Sequence, residues 1–132
     1  MIVVDTHALV SQLNGERKIG PRARARLERA LTREELSVSA MAFWEIALLV
    51  SRDRLRLGTT PTHFRSRVLE MGIRELPIDG DIALRAATLA PVLVDPVDCV
   101  MAATALAHGA TLMTADTRML EARAVEVLDA RR

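Results

Sequence analysis

Four carboxylates in this 132-residue chain stand where they could do chemistry. Asp5 ends the run Ile2-Val3-Val4. Glu45 is embedded in Phe43-Trp44-Glu45-Ile46-Ala47-Leu48. Asp98 precedes Cys99-Val100-Met101-Ala102-Ala103, and Asp116 lies two residues past Thr111-Leu112-Met113-Thr114. A carboxylate among apolar neighbours is expensive unless a cation pairs with it. The one lysine, Lys18, is remote from all four, and most of the 17 arginines lie elsewhere. A hard divalent cation would resolve the conflict. Mg²⁺ takes oxygen ligands and keeps several waters, so a few carboxylates around an open site suit it, with Mn²⁺ able to substitute. Such a cation lowers the pKa of a bound water and offsets charge developing on a phosphate, which is the chemistry of phosphodiester hydrolysis.

Each acid taken alone has a plainer role. Asp116 could cap a helix, Asp5 could be a turn residue, and Asp98 could favour a helix dipole. Glu45 has the weakest such alternative, because a solvated helix face is not flanked so heavily by apolar side chains. Asp79, Asp81 and Asp95 read as caps or first-turn residues.

The elements that must position these acids alternate between strand and helix. Strands are expected at Ile2–Val4, Leu36–Val38, Arg74–Ile78, Thr111–Thr114 and Ala124–Leu128. Helices are expected from Ala8 to Leu13, from Pro21 to about Leu31, and from Ala40, capped by Ser39, to about Arg52. Thr60-Pro61 and Asp95-Pro96 are N-cap and N1 pairs for two more, ending near Gly72 and Gly109. Asp79 opens an alanine-rich helix, and a short one follows Asp116. This alternation predicts an α/β fold of three layers, helix/sheet/helix, around a parallel sheet. Ligands of such sheets bind beyond the carboxyl ends of the strands, and all four acids can reach that rim.

Composition narrows the function classes. The length fits one domain over residues 1–132, large enough to bury a core without staples. No apolar run reaches the roughly 20 residues of a membrane span, and Asp5 falls where a signal peptide would be apolar. The single cysteine, Cys99, excludes an internal disulfide and points to a reduced cytoplasm. Its apolar helix makes it a buried small hydrophobe. A net charge of +1 announces no nucleic-acid binder. Arg22, Arg26, Arg29 and Arg33 recur at helical spacing, so they form one stripe: either a solvated face or a contact for RNA phosphate or an acidic partner. Trp44, Phe43 and Phe64 read as core. His7, His63 and His108 lack zinc-site spacing, and no glycine-rich phosphate loop is present. A phospho-accepting module would need a lysine near a late strand, which is absent.

The segments Val3–Leu9, Phe43–Ala47, Asp95–Ala105 and Leu112–Asp116, in that order and spacing, resemble the PIN-domain nucleases, and within them the VapC toxins of bacterial toxin–antitoxin modules. The resemblance implies a metal-dependent endoribonuclease with a five-stranded parallel sheet. It matches Asp5, Glu45, Asp98 and Asp116 to the acidic site residues. Thr6 and Thr114 match small hydroxyl positions that orient carboxylates or contact phosphate. It further implies a homodimer and a cognate VapB-like antitoxin that blocks the site. Cys99 stands where many relatives carry an arginine, Leu93 where they often carry a histidine, and Val97 where they often carry an aromatic residue. The competing expectation is a catalytically inert PIN-like module that only binds a partner.

Overall fold

The computed structural model describes residues 1–16 and 18–132. Its order is β1 (Ile2–Val4), α1 (Thr6–Leu13), α2 (Pro21–Thr32), β2 (Leu36–Ser39), α3 (Ala40–Ser51), α4 (Pro61–Glu70), β3 (Arg74–Leu76), α5 (Gly80–Leu89), α6 (Pro96–Ala107), β4 (Thr111–Thr114), α7 (Thr117–Ala122) and β5 (Val127–Asp129). The five strands form one sheet in the order β3-β2-β1-β4-β5, and every pairing is parallel. Helices flank the sheet in the expected three layers. β1, β2 and β4 are almost entirely buried, as parallel strands covered on both faces must be.

The strand order puts a topological switch at the centre. From β1 the chain steps outward to β2 and β3, then crosses back to β4 and β5 on the other side. The carboxyl ends of β1 and β4 therefore flank the crevice where open α/β sheets bind ligands.

Four boundaries differ from the sequence reading. α1 starts at Thr6 rather than Ala8, because Asp5 itself is the N-cap and accepts from the Thr6 N–H. β2 runs one residue further, so that Ser39 both ends the strand and caps α3. β3 stops at Leu76: Pro77 has no N–H to continue the ladder. β5 is shifted to Val127–Asp129, because α7 ends in the left-handed Arg123 (φ 53°) and the chain needs several residues to turn back. The caps Thr60, Asp79 and Asp95 stand as expected, accepting from His63, Ile82 and Val97 respectively.

The core is built from strand residues such as Val3, Val38 and Leu112 and from helix residues such as Leu9, Ile46, Phe64, Val68 and Ala102. Cys99 is buried, with its thiol on the Leu93 carbonyl at 2.9 Å. Trp44 corrects the sequence reading. It is 55% exposed, because its position on α3 faces away from the side carrying Ala42 and Ile46.

α2 packs on β2, and its start is tied to the residues after β5: Gly20 N–H donates to the Ala130 carbonyl and Arg22 N–H to that of Arg132, both at 2.9 Å. Gly20 has an ordinary φ of −66°, so its need for glycine is spatial. A Cβ there would run into the backbone of Arg131 and Arg132. Gly20→Ala is therefore expected to cost about 1–3 kcal/mol, the usual range for overpacking. Urea denaturation would show a lower midpoint, and an unchanged midpoint would mean that the terminal residues do not hold this position.

Candidate functional site

Asp5 is 9% exposed and fully engaged. One oxygen accepts from Thr6 N–H at 2.7 Å and the other from the Thr114 hydroxyl at 2.7 Å. Thr114, at the end of β4, also accepts from the Asp116 N–H at 3.0 Å. One hydroxyl thus ties the ends of β1 and β4 together across the switch point. The Thr6 hydroxyl is buried and has no hydrogen-bond partner among the described residues. It stands near Glu45.

The other acids arrive on helices. Asp98 is the third residue of α6, after the cap Asp95 and Pro96. Asp116 is the N-cap of α7, as its plainer reading held, accepting from Arg118 N–H at 2.8 Å. Glu45 lies in the second turn of α3, half-buried. Asp5, Asp98 and Asp116 each sit at a helix N-terminus, whose partial positive charge supports a carboxylate.

That support does not balance the cluster. Burial raises the Asp5 carboxyl above its ordinary value, against the Thr114 and Thr6 hydrogen bonds, and the charge of Asp116 adds to the rise. Burial likewise raises Glu45, with Asp5 and Asp95 adding to it. Asp98 is pushed up to about 7, first by burial and then by Asp95, Asp116 and Asp5. Burial would raise Asp116 too, but hydrogen bonds from Arg118 outweigh it and hold Asp116 low. The acids named from the sequence are therefore close enough to repel one another. Even so, no three His, Cys, Asp or Glu side chains among the described residues form a group arranged to hold a metal ion.

Three participants were missed from the sequence. Asp95 does cap α6, yet its charge also bears on Glu45 and Asp98. Arg118 pairs with Asp116 at 3.4 Å and partly offsets Asp98. His7 bears on Asp5 and Glu45. Their only signal is proximity in sequence to Asp98, Asp116 and Asp5. The stripe residues Arg22, Arg26 and Arg29 lie apart from the acids, exposed on α2.

The raised acids make stability depend on pH in a defined direction. A carboxyl whose folded pKa is raised binds its proton more tightly in the folded state. Its stabilising contribution is complete below the unfolded value and disappears as pH rises through the folded one. For Asp98 that window runs from 3.8 to about 7. In EDTA, the melting temperature should be higher near about pH 5.5 than near about pH 8, and Asp98→Asn should flatten the difference. Equal slopes for parent and variant would show that Asp98 is not the group responsible.

Comparison with known proteins agrees with this architecture. The PIN domain family matches residues 2–125. Ribonuclease VapC22 of Mycobacterium tuberculosis is 27% identical over 119 residues, covering 89% of this chain and 88% of the relative. The crystal structure of FitAcB from Neisseria gonorrhoeae superposes with a TM-score of 0.70 at 26% identity, covering 98% of each chain. VapBC2 from Rickettsia felis, bound to a promoter DNA fragment, shares the fold with a TM-score of 0.74 at 15% identity, again over 98% of each chain. No helix among the described residues is long and apolar enough to cross a membrane. The family match runs from β1 past β4 and α7, and the chain belongs to the PIN domain family, with VapC-type toxin components among its homologues.

Proposed function

We propose that this chain is a Mg²⁺-dependent endoribonuclease, the toxin component of a toxin–antitoxin pair. The observation that carries this reading is the set of mutually repelling carboxylates at the β1/β4 switch point, with raised pKa values and little local compensation. Its donors are all oxygens, which suits Mg²⁺ or Mn²⁺. The unpartnered Thr6 hydroxyl adds a buried polar atom at the same place. Asp5, Glu45, Asp98 and Asp116 would hold the cation. When bound, it would supply a lowered pKa for attacking water and neutralisation of the phosphate charge.

The chain's own residues divide the remaining work. Thr114 and the Thr6 N–H fix the Asp5 carboxylate in one orientation. With its carboxyl pushed up to about 7, Asp98 is only partly ionised near neutral pH and acts as a ligand in its charged form, so cation affinity should rise with pH. Arg118, exposed and paired with Asp116 by a long contact, is free to turn toward a phosphate. As the resemblance of the sequence to VapC toxins implies, a VapB-like antitoxin is the expected partner and a homodimer the expected assembly.

A second reading has its own observation. No ready-made metal-holding group exists among the described residues, which favours a PIN module that binds a partner without cutting RNA. RNA incubated with the purified protein in Mg²⁺ or in EDTA separates the two. Cleavage only with Mg²⁺ supports the nuclease. Intact RNA under both conditions, with the protein still folded, supports the binding module.

A further inference from the structure

Two of the acids at the switch point are held by contacts of different kinds. Asp5 is gripped by a backbone N–H and by the buried Thr114 hydroxyl, and neither can leave without disturbing the sheet ends. Asp116 is held through Arg118. The Arg118 N–H donates to Oδ1 at 2.8 Å, and the Arg118 guanidinium donates to Oδ2 at 3.4 Å. The first contact caps α7 and belongs to the fold. The second is long and comes from a side chain that is 74% exposed. An exposed pair of this kind is worth at most roughly fivefold in an equilibrium, so it can be given up at little cost. Helix stability does not explain why an arginine stands here. Arg118 is in the first turn of α7, where a helix dipole disfavours a cation. Its charge bears instead on the acids, on Asp116 first and then on Asp98 and Asp95. The guanidinium therefore lies beside the part of the cluster that α6 and α7 supply, on its solvent side.

We propose that Arg118 is the built-in counterion of the metal-free site: it gives up Asp116 when the divalent cation binds, and the released guanidinium grips the scissile phosphate. The last step rests on the nuclease reading; the exchange at Asp116 rests on the cation alone. Oδ2 of Asp116 cannot face the guanidinium and a divalent cation together, because the two positive charges repel. The exchange also accounts for the lack of a ready-made metal-holding group among the described residues, since one of the four acids is turned to its own arginine. No backbone movement is needed, because the Arg118 N–H stays on Oδ1 while the side chain swings. Once released, the planar fork of donors suits a phosphate held at the same cluster.

The test sets two readouts against each other. Mn²⁺ binding without RNA, measured by calorimetry at about pH 8, reports the exchange. Arg118→Gln should bind Mn²⁺ roughly two- to fivefold more tightly than the parent, because a competing charge is gone. The gain should shrink as salt screens the parent's ion pair, and it should be smaller in an Asp116→Asn background. Cleavage of a labelled RNA at saturating Mn²⁺ should move the other way. There kcat/KM should fall at least about tenfold, as losing a hydrogen bond between charged groups implies, and Arg118→Lys should recover part of it. A purely structural role for Arg118 would weaken both readouts together. Mn²⁺ affinity unchanged or weaker in Arg118→Gln, or a gain of equal size in the Asp116→Asn background, would overturn the exchange. Tighter Mn²⁺ binding with unchanged kcat/KM would overturn the phosphate grip. A parent that binds Mn²⁺ yet cuts no RNA would sink the nuclease reading and the grip with it, while tightened binding by Arg118→Gln would still establish the exchange. Mn²⁺ binding by neither protein would overturn the whole proposal.

Discussion

Asp98→Asn should reduce RNA cleavage by about 10²–10⁴-fold, the range typical of losing a group that acts at the reacting centre. The amide keeps the shape of the carboxyl but cannot supply the charge a cation needs. The same change should leave the fold intact and make the metal-free protein no less stable near neutral pH. There Asp98 sits among Asp95, Asp116 and Asp5, and its own carboxyl is pushed up to about 7. Removing one member of such a set relieves repulsion. Initial rates on a labelled RNA, together with thermal melts of the same preparations, would separate the two effects. Retained cleavage by a folded variant would remove Asp98 from the site. Lost cleavage with a lowered melting temperature would show a structural role instead.

Millimolar Mn²⁺ or Mg²⁺ should stabilise the protein. A cation that binds the native cluster and barely binds the unfolded chain stabilises by mass action, about 2.7 kcal/mol at a hundred times its Kd. For a chain of this size that is on the order of 10 °C in Tm. The rise should be larger at about pH 8 than at about pH 6, because the Asp98 proton competes with the cation. Asp5→Asn should shrink it. A melt indifferent to either cation at both pH values would favour the partner-binding module, in line with the absence of a ready-made metal group among the described residues.

The fold was largely legible because its signals are local. Pro61 and Pro96 behind Thr60 and Asp95 mark helix starts chemically, and the β-branched Ile2-Val3-Val4 run can hardly be anything but a buried strand. Pro77 shows where a local signal was overlooked. The start of β5 depended on the left-handed Arg123, which no apolar pattern announces. Within the site, Asp5, Glu45, Asp98 and Asp116 were legible because a carboxylate next to apolar residues is costly and asks for a reason. Asp95 and Arg118 were not. Each has an adequate local role, a cap and a surface cation, that hides its electrostatic effect on neighbours brought near only by the fold. Trp44 failed in the opposite direction: apolar character alone does not say which side of α3 a residue takes.

The hydroxyl of Thr114 reaches an acid 109 residues earlier in the chain. β1, the first strand in the described order, lies at the centre of the sheet with β2 on one side and β4 on the other. During synthesis it can pair with β2 early, but its other edge must wait for β4, more than a hundred residues later. At about 5–20 residues per second, that wait is several seconds at least. Asp5 and Glu45 are therefore in place long before Asp98, Thr114 and Asp116 exist. A growing chain on the ribosome that has not yet made α6 and β4 holds only half of the acid cluster, so whatever the cluster does begins only after those elements emerge. Any partner meant to restrain it has the time taken to make α3 through β4 in which to arrive.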